Sequence, residues 1–491
     1  MAVNTNSGLS ERQNIQDVVF QGDTWGSMLA SVQVDSIAKV VEEADYGIRY
    51  KDILPVSMLG LVDDVIGITT ANHKAVQLNT VMKVKTAEKR LQFGAAKCKT
   101  MVVSKQEHAH TEIFANKLTV DKWEVKHVHN TLTGEDMLVE SYVGQENMEN
   151  TNSHKYLGFT LSNKGDNSVN INAMKTKSIW LIRKLFIKLD GLNLQKYYFE
   201  CAMIFLNVIL RSSILYACET YYNLTETQIR QLERIEEGFI RKLLKTSTGC
   251  PIVQLYLETG HIPARFAIKK ARLQFLKSIL EESQESLIYK FLELQFQNPT
   301  KGDWVSSCKQ DLKDLEIDST IEELKKMSKY QFSKIVKKSI QKKALEYLLR
   351  KQRNKGSEIQ YKNLQMAEYL LPNDKIQNIN EQRNIFAIRN RMVELPVNFQ
   401  HSQTIEICSC GNIETMEHIY SCDKWNKNNR EKISYEIIYS NDISKQLKIS
   451  KIFFNNLEHR NNEIRKTKIE THEIQLCDPP SSAKSMAMDC K

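Results

Sequence analysis

The chain has 491 residues, 41% of them hydrophobic and 26% charged, with a formal net charge of +9. That is enough chain for two or three domains with their own cores, and the composition excludes a disordered or fibrous class. With only 8 prolines and 18 glycines, punctuation is sparse and long helices are expected over much of the length. Residues 1–20 are polar, without the apolar segment of a secretory leader. The longest apolar run, Cys201–Leu210, is too short to span a bilayer. The 10 cysteines are therefore read as reduced thiols of an intracellular protein of the cytoplasm and nucleus, with no membrane partner. The mild positive excess suits a polyanionic partner.

In chain order, Met28–Ala44 reads as a helix. Ile53–Leu61 and Val65–Thr70 read as short strands around Asp63-Asp64, and Ala71–Arg90 as a second helix. Leu91–Ser104, Leu118–Val128 and Met137–Val143 read as strands. From about residue 168 the pattern turns helical. Thr225 and Gln228 stand in capping-box spacing, ahead of an apolar face of Ile229, Leu232, Phe239, Leu243 and Leu244. Residues 264–295 continue as helix. Between Lys325 and Lys355 there are twelve Lys or Arg and one acid, Glu346, with Tyr330, Phe332 and Tyr347 interleaved. Such a stretch can track a nucleic-acid backbone while its aromatics stack on bases, or simply be a solvated helix face.

The sharpest local feature is Leu59-Gly60-Leu61-Val62-Asp63-Asp64-Val65-Ile66-Gly67-Ile68, two apolar strands around adjacent acids. A hairpin tip can hold two carboxylates for a hard divalent cation. By itself an Asp-Asp turn is more often a solvated turn. Upstream stands Gln21-Gly22-Asp23-Thr24-Trp25-Gly26-Ser27-Met28-Leu29. Downstream stand Leu91-Gln92-Phe93-Gly94-Ala95-Ala96-Lys97-Cys98 and then Lys155-Tyr156-Leu157-Gly158-Phe159. This ordered series resembles the second half of the palm of reverse transcriptases from non-LTR retrotransposons. The likeness extends through Ser213–Glu219 and Leu255–Ile262, over about residues 15–425.

The resemblance implies an α+β fold: an incomplete reverse-transcriptase palm (an antiparallel sheet with helices), a mostly α-helical thumb and extension, and a small zinc knuckle. The corresponding divisions are 1–165 for the palm, 166–300 for the thumb and connection, and 301–400 for the basic helical extension. Residues 401–426 form the knuckle and 427–491 a polar, poorly ordered tail. It implies RNA-directed DNA polymerisation on an RNA template and DNA primer, with dNTPs and Mg²⁺. Asp63 and Asp64 would hold the metal, Lys97 would sit near the triphosphate, and Gln21 and Gly22 would contact template and nucleotide. Tyr156, Leu157 and Gly158 would grip the primer end. Thr24 and Gly26 replace the family's common Pro and Ser, and Leu61 its frequent aromatic. The family's further metal-binding Asp lies well upstream of the Gln-Gly loop, where this sequence has only twenty residues. The chain alone is accordingly expected not to polymerise, and a non-catalytic nucleic-acid-binding relic is the alternative.

Cys408, Cys410, His418 and Cys422 follow a C-x-C-x₇-H-x₃-C pattern. Three thiolates and an imidazole are the donor set of a closed structural Zn²⁺ site, and many non-LTR reverse transcriptases carry a similar knuckle near their carboxy end. His108/His110 and His127/His129 also share strand faces, but no further ligand joins either pair.

Overall fold

The computed structural model describes residues 4–5, 8–9, 26–62, 64–89, 91–94, 97–103, 118–129, 136–246, 249–353, 361–393, 395, 407–424 and 434–477. Strands β1 (Asn4–Thr5) and β2 (Gly8–Leu9) pair first, followed by helix α1 (Gly26–Glu43). Two antiparallel hairpins come next, β3 (Ile48–Tyr50) with β4 (Leu54–Val56) and β5 (Met58–Leu61) with β6 (Asp64–Gly67). Helix α2 (Asn72–Glu88) precedes β7 (Lys99–Thr100). The long ribbon β8 (Thr119–His129) and β9 (Asp136–Asn147) leads to β10 (Glu149–Asn150) and to the hairpin β11 (Ser153–Tyr156) and β12 (Phe159–Ser162).

The rest is helical: α3 (Ser168–Gly191), α4 (Tyr198–Phe205), α5 (Arg211–Ile214), α6 (Glu226–Leu244), α7 (Ile252–Thr259), α8 (Ala264–Leu280) and α9 (Leu287–Gln297). Then follow α10 (Trp304–Asp314), α11 (Ile321–Lys326), α12 (Lys329–Arg353), α13 (Ile379–Arg389), α14 (Met416–Ser421) and α15 (Ile443–Cys477). The chain forms two compact units. Unit 1 comprises Met1–Met174, Thr220–Leu224 and Leu276–Lys309, and unit 2 comprises Lys175–Glu219, Thr225–Phe275 and Gln310–Lys491. The mixed α and β character expected from the sequence is present. The described strands pair only two by two, however, so no continuous palm sheet is formed among them.

In unit 1 the β5–β6 hairpin lies on α1 and α2. Ile37 and Val41, one helical turn apart, meet Met58 and Leu78, with Val34, Val65 and Met82 closing the cluster. Glycine permits the close approach: a Cβ on Gly67 would stand 2.9 Å from Leu78 Cδ2. The α9 segment belongs to the same unit, with Tyr50 packed on Phe291 at 4.7 Å between ring centroids and Lys51 Nζ donating to Asn298 O at 2.6 Å.

Unit 2 starts α6 as the sequence indicates. Thr225 accepts from the Gln228 backbone N–H while the Gln228 side chain accepts from the Thr225 N–H. The helix then buries Leu232, Phe239, Leu243 and Leu244. The Leu255–Ile262 motif is a buried hub. Glu258, fully buried, accepts from Tyr361 Oη at 2.8 Å, Tyr369 Oη at 3.0 Å and Arg389 Nε at 3.1 Å. Gly260, at φ +64, lets residues 365–366 pass so close that a Cβ would meet their backbone at 2.4 Å. Beside it, Arg211 is bidentate to Glu236 and its Nη2 lies 2.7 Å from His261 Nε2, which is also 3.4 Å from Glu236 Oε2. Burial and then Arg211 lower the His261 pKa. Burial opposes ionisation of Glu236, but Arg211 and then His261 outweigh it and hold the carboxyl at about 2.

Four expected elements differ. Among the described residues of Leu91–Ser104 only Lys99–Thr100 is strand, parallel to β10, because the chain turns at Gly94, whose carbonyl accepts from Lys97 N. Residues 264–295 are two helices, since Ser286 caps a new one by accepting from Tyr289 N. Of the three aromatics in the basic stretch, Phe332 is 1% exposed and belongs to the core, so it is not free to stack on a base. The loose tail assigned to 427–491 contains a 35-residue helix, Ile443–Cys477, whose Leu447, Ile449 and Phe453 are buried. The polar composition hid this narrow apolar stripe. Residues 478–491 lie outside the described ones.

Candidate metal centre and carboxylate hairpin

The four knuckle ligands come together on a small, tight frame. An antiparallel bridge joins Ile407 to Ile413. Cys408 N donates to Asn412 O at 2.8 Å, and Gly411 N to Cys408 O at 2.8 Å. Gly411 at φ +89 makes the reversal that returns Cys410 toward Cys408, which is why the C-x-C spacing works here. Thr415 caps α14 by accepting from His418 N, presenting His418 and Cys422 from successive turns.

The ligand atoms of Cys408, Cys410, His418 and Cys422 all lie within 4.8 Å of one another. Cys408 Sγ and Cys410 Sγ are each 3.9 Å from Cys422 Sγ, and Cys410 Sγ is 3.3 Å from His418 Nε2. A tetrahedral zinc with sulfur at about 2.3 Å and nitrogen at about 2.0 Å needs edges of roughly 3.8 Å for S···S and roughly 3.5 Å for S···N. The measured edges match a metal tetrahedron and are far too long for a disulfide, whose sulfurs stand about 2.05 Å apart. The group can therefore hold a metal ion and is compatible with a structural zinc. The Asn412 N–H beside Cys410 lowers its thiol pKa, favouring the thiolate, whereas burial pushes Cys422 up to about 11. A cation would take up that proton-bearing sulfur by displacing its proton.

Helix α15 fixes this frame. Asn456 Nδ2 donates to Ile419 O at 2.9 Å and Tyr420 O at 3.2 Å, satisfying carbonyls at the end of α14. Arg460 and Glu414 form a buried two-point pair, with Nη2 to Oε2 at 2.6 Å and Nε to Oε1 at 3.2 Å. Lys424 reaches both Ser409 and Glu463. Sequence spacing revealed the ligands but not this support. An Asn and an Arg four residues apart on a polar helix give no signal until their partners are known.

The carboxylate hairpin is built differently. Leu61 pairs with Asp64, and Val62 beyond Leu61 sits at φ +58. A β-branched residue in the left-handed region is strained, so the tip is held by its surroundings against local preference. Asp64 is exposed, as is Leu61 on the same strand pair at 54%.

The β11–β12 hairpin turns through Leu157 (φ +47) and Gly158 (φ +82) and is tied back by Asn170, which accepts from Thr160 N at 3.0 Å and donates to Tyr221 Oη at 2.8 Å. This turn stands beside the acidic tip. Tyr156 Oη lies 3.5 Å from Asp64 O, and burial, then the Asp64 charge, raises the Tyr156 pKa. Lys97 is exposed on its own turn, and among the described residues its side chain meets neither Asp64 nor Tyr156. Gln21, Gly22, Asp63, His108 and His110 lie outside the described residues, as do the side chains of His127 and His129. Among the described residues the Cys/His set is the one group of three or more metal-ligating side chains.

No protein-family model matches the chain, and no curated protein is significantly similar to it. No helix among the described residues is long and apolar enough to cross a membrane.

Proposed function

We propose that unit 1 carries the carboxylate hairpin and primer-end turn of a reverse transcriptase of the non-LTR retrotransposon type. Its reaction would be RNA-directed DNA polymerisation from dNTPs. The observation that carries the reading is the approach of Tyr156 to Asp64 across 92 residues of sequence. Two elements picked out only by their order along the chain stand side by side in space, as a primer terminus and a metal-binding carboxylate must. The strained tip at Val62 supports the same reading, since strain held at one point of a hairpin commonly marks a working site.

In this reading Asp63 and Asp64 would hold Mg²⁺, which supplies charge neutralisation for the attacking and leaving oxygens. Lys97 would meet the triphosphate, Gln21 and Gly22 the template and nucleotide, and Tyr156, Leu157 and Gly158 the primer end. Two-metal transfer needs a further fixed carboxylate, and among the described residues Asp64 belongs to no group of three or more metal-ligating side chains. The chain alone is therefore expected not to extend a primer.

The test is primer extension on an RNA template with dNTPs and Mg²⁺. The chain is assayed alone and mixed with a separately expressed reverse-transcriptase segment that bears a carboxylate strand. Extension only in the mixture, abolished by Asp63→Ala and by Asp64→Ala, is the expected result. Extension in the mixture that survives both substitutions sinks the assignment. A second reading, a nucleic-acid-binding protein without catalysis, is favoured by the Cys/His set, the one group of three or more metal-ligating side chains among the described residues. It predicts zinc-dependent RNA binding and no extension in either assay.

A further inference from the structure

Helix α12 carries its positive charge in two unlike halves. In the second half Lys342 and Lys343 are neutralised: Lys342 Nζ is 3.0 Å from Glu316 Oε2, and Lys343 pairs with Glu316 and, at 2.9 Å, with Glu346; Arg350 and Lys351, near its end, are exposed. In the first half Lys334, Lys337 and Lys338 are exposed, and just before them so are Lys326 and Lys329. No carboxylate among the described residues pairs with any of these five. From Lys329 to Leu345 the helix contains no acid at all; the exposed acids flanking that stretch in sequence are Glu322 and Glu323 on α11, where Glu323 is engaged in capping Thr320, and Glu346.

The free charges are aligned as well as unpaired. Phe332, Val336 and Ile340, four residues apart, face the core. At about 100° per residue, Tyr330, Lys334, Lys337, Lys338 and Gln341 fall in one arc roughly 100° wide on the opposite side. Tyr330 is 77% exposed, the most exposed large hydrophobic side chain described in the chain. Tyr330 to Lys338 covers about 12 Å of helix axis. Over that length one nucleic-acid strand at about 3.4 Å per phosphate presents three or four charges.

We propose that this face of α12 binds a single nucleic-acid strand, with the lysine ammonium groups on successive phosphates and the Tyr330 ring against an unpaired base. The chemistry distinguishes this partner from two others. An anionic membrane is held by a basic helix that also offers an apolar stripe, and this arc has one aromatic residue and no aliphatic one. An acidic protein partner would be met through an apolar interface centre ringed by polar groups, which the arc also lacks. The surface is separate from the carboxylate hairpin, so binding here stands or falls without the polymerase reading.

The experiment measures binding of the full zinc-loaded chain to a short oligouridylate and a short oligothymidylate across a KCl series, by fluorescence anisotropy. Loss of three phosphate contacts in Lys334→Gln/Lys337→Gln/Lys338→Gln should reduce the slope of log affinity against log salt by about 2, at roughly 0.7 per contact. Lys342→Gln/Lys343→Gln removes as dense a pair of charges from the neutralised half and should leave the slope in place. Tyr330→Ala should weaken single-strand binding about tenfold with the slope unchanged and spare a duplex of the same length. All six positions are solvent-facing or at the rim, and an unchanged thermal melt confirms that each variant is folded. Three results overturn the proposal: wild-type affinity and slope in the triple variant, equal losses in the two lysine variants, or binding to phosphatidylserine vesicles with none to either oligonucleotide. Primer extension is scored separately, so failure of α12 binding and failure of the polymerase reading are distinguishable.

Discussion

The Cys/His knuckle and the carboxylate hairpin are both small reversals that present metal-binding side chains, yet only one is complete. The knuckle draws all four ligands from fifteen consecutive positions, Cys408 to Cys422, and its ligand atoms all lie within 4.8 Å of one another. The hairpin supplies two adjacent acids, and among the described residues Asp64 stands exposed and belongs to no group of three or more metal-ligating side chains. A ligand set carried by one short loop is specified by local backbone geometry. A set assembled from separate strands exists only when every strand is in place.

The largest effect separating the two sites should come from the knuckle thiolates. Cys408→Ser or Cys422→Ser is expected to abolish metal binding, because structural zinc contributes on the order of 10 kcal/mol to such modules. Metal analysis should fall from one equivalent to none, and amide exchange over residues 407–424 should accelerate while the β5–β6 hairpin is unaffected. Retention of a full equivalent of zinc by either variant would break the contrast. Next in size, Arg460→Met strands Glu414 in a buried position and should cost about 3–5 kcal/mol of the docking of the knuckle on α15. Zinc should remain bound, since no ligand is touched; co-loss of zinc would show that α15 shapes the ligand set itself.

Acid should weaken unit 2 in two stages. The folded pKa of His261 is lowered below its ordinary 6.5, so its contribution is present above that value and is lost as pH falls below it. Glu236 is depressed from 4.5 to about 2, so its contribution is present above 4.5 and is lost as pH falls toward 2. Thermal melts from neutral pH down to 4 should show the first stage, and His261→Gln should remove it. The smallest effect is at the hairpin tip. Val62→Gly should stabilise unit 1 by about 1 kcal/mol by releasing the left-handed strain. A loss of stability would mean that the Val62 side chain contributes more packing than its backbone costs.

Much of this was legible in the chain. The Thr225/Gln228 capping box, the apolar face of α6 and the spacing of Cys408, Cys410, His418 and Cys422 all formed as local patterns indicate, because each depends on neighbours within one or two turns. Helix α15 was not legible, because its polar surface masks a narrow stripe whose value appears only against the knuckle. Nor was the role of the Leu255–Ile262 motif, since nothing near Glu258 in sequence foretells Tyr361, Tyr369 and Arg389 closing on one carboxylate.

By itself, then, the sequence determined helix α6 and its cap, the two reversals and the ligand chemistry of the knuckle, all set by backbone preference and side-chain spacing over a few residues. Only the tertiary structure decided that Tyr156 meets Asp64, that Phe332 is core while Tyr330 is free, and which lysines of α12 keep their charge unpaired. Those outcomes depend on partners tens of residues away, and burial and charge pairing are properties of what surrounds a residue in space.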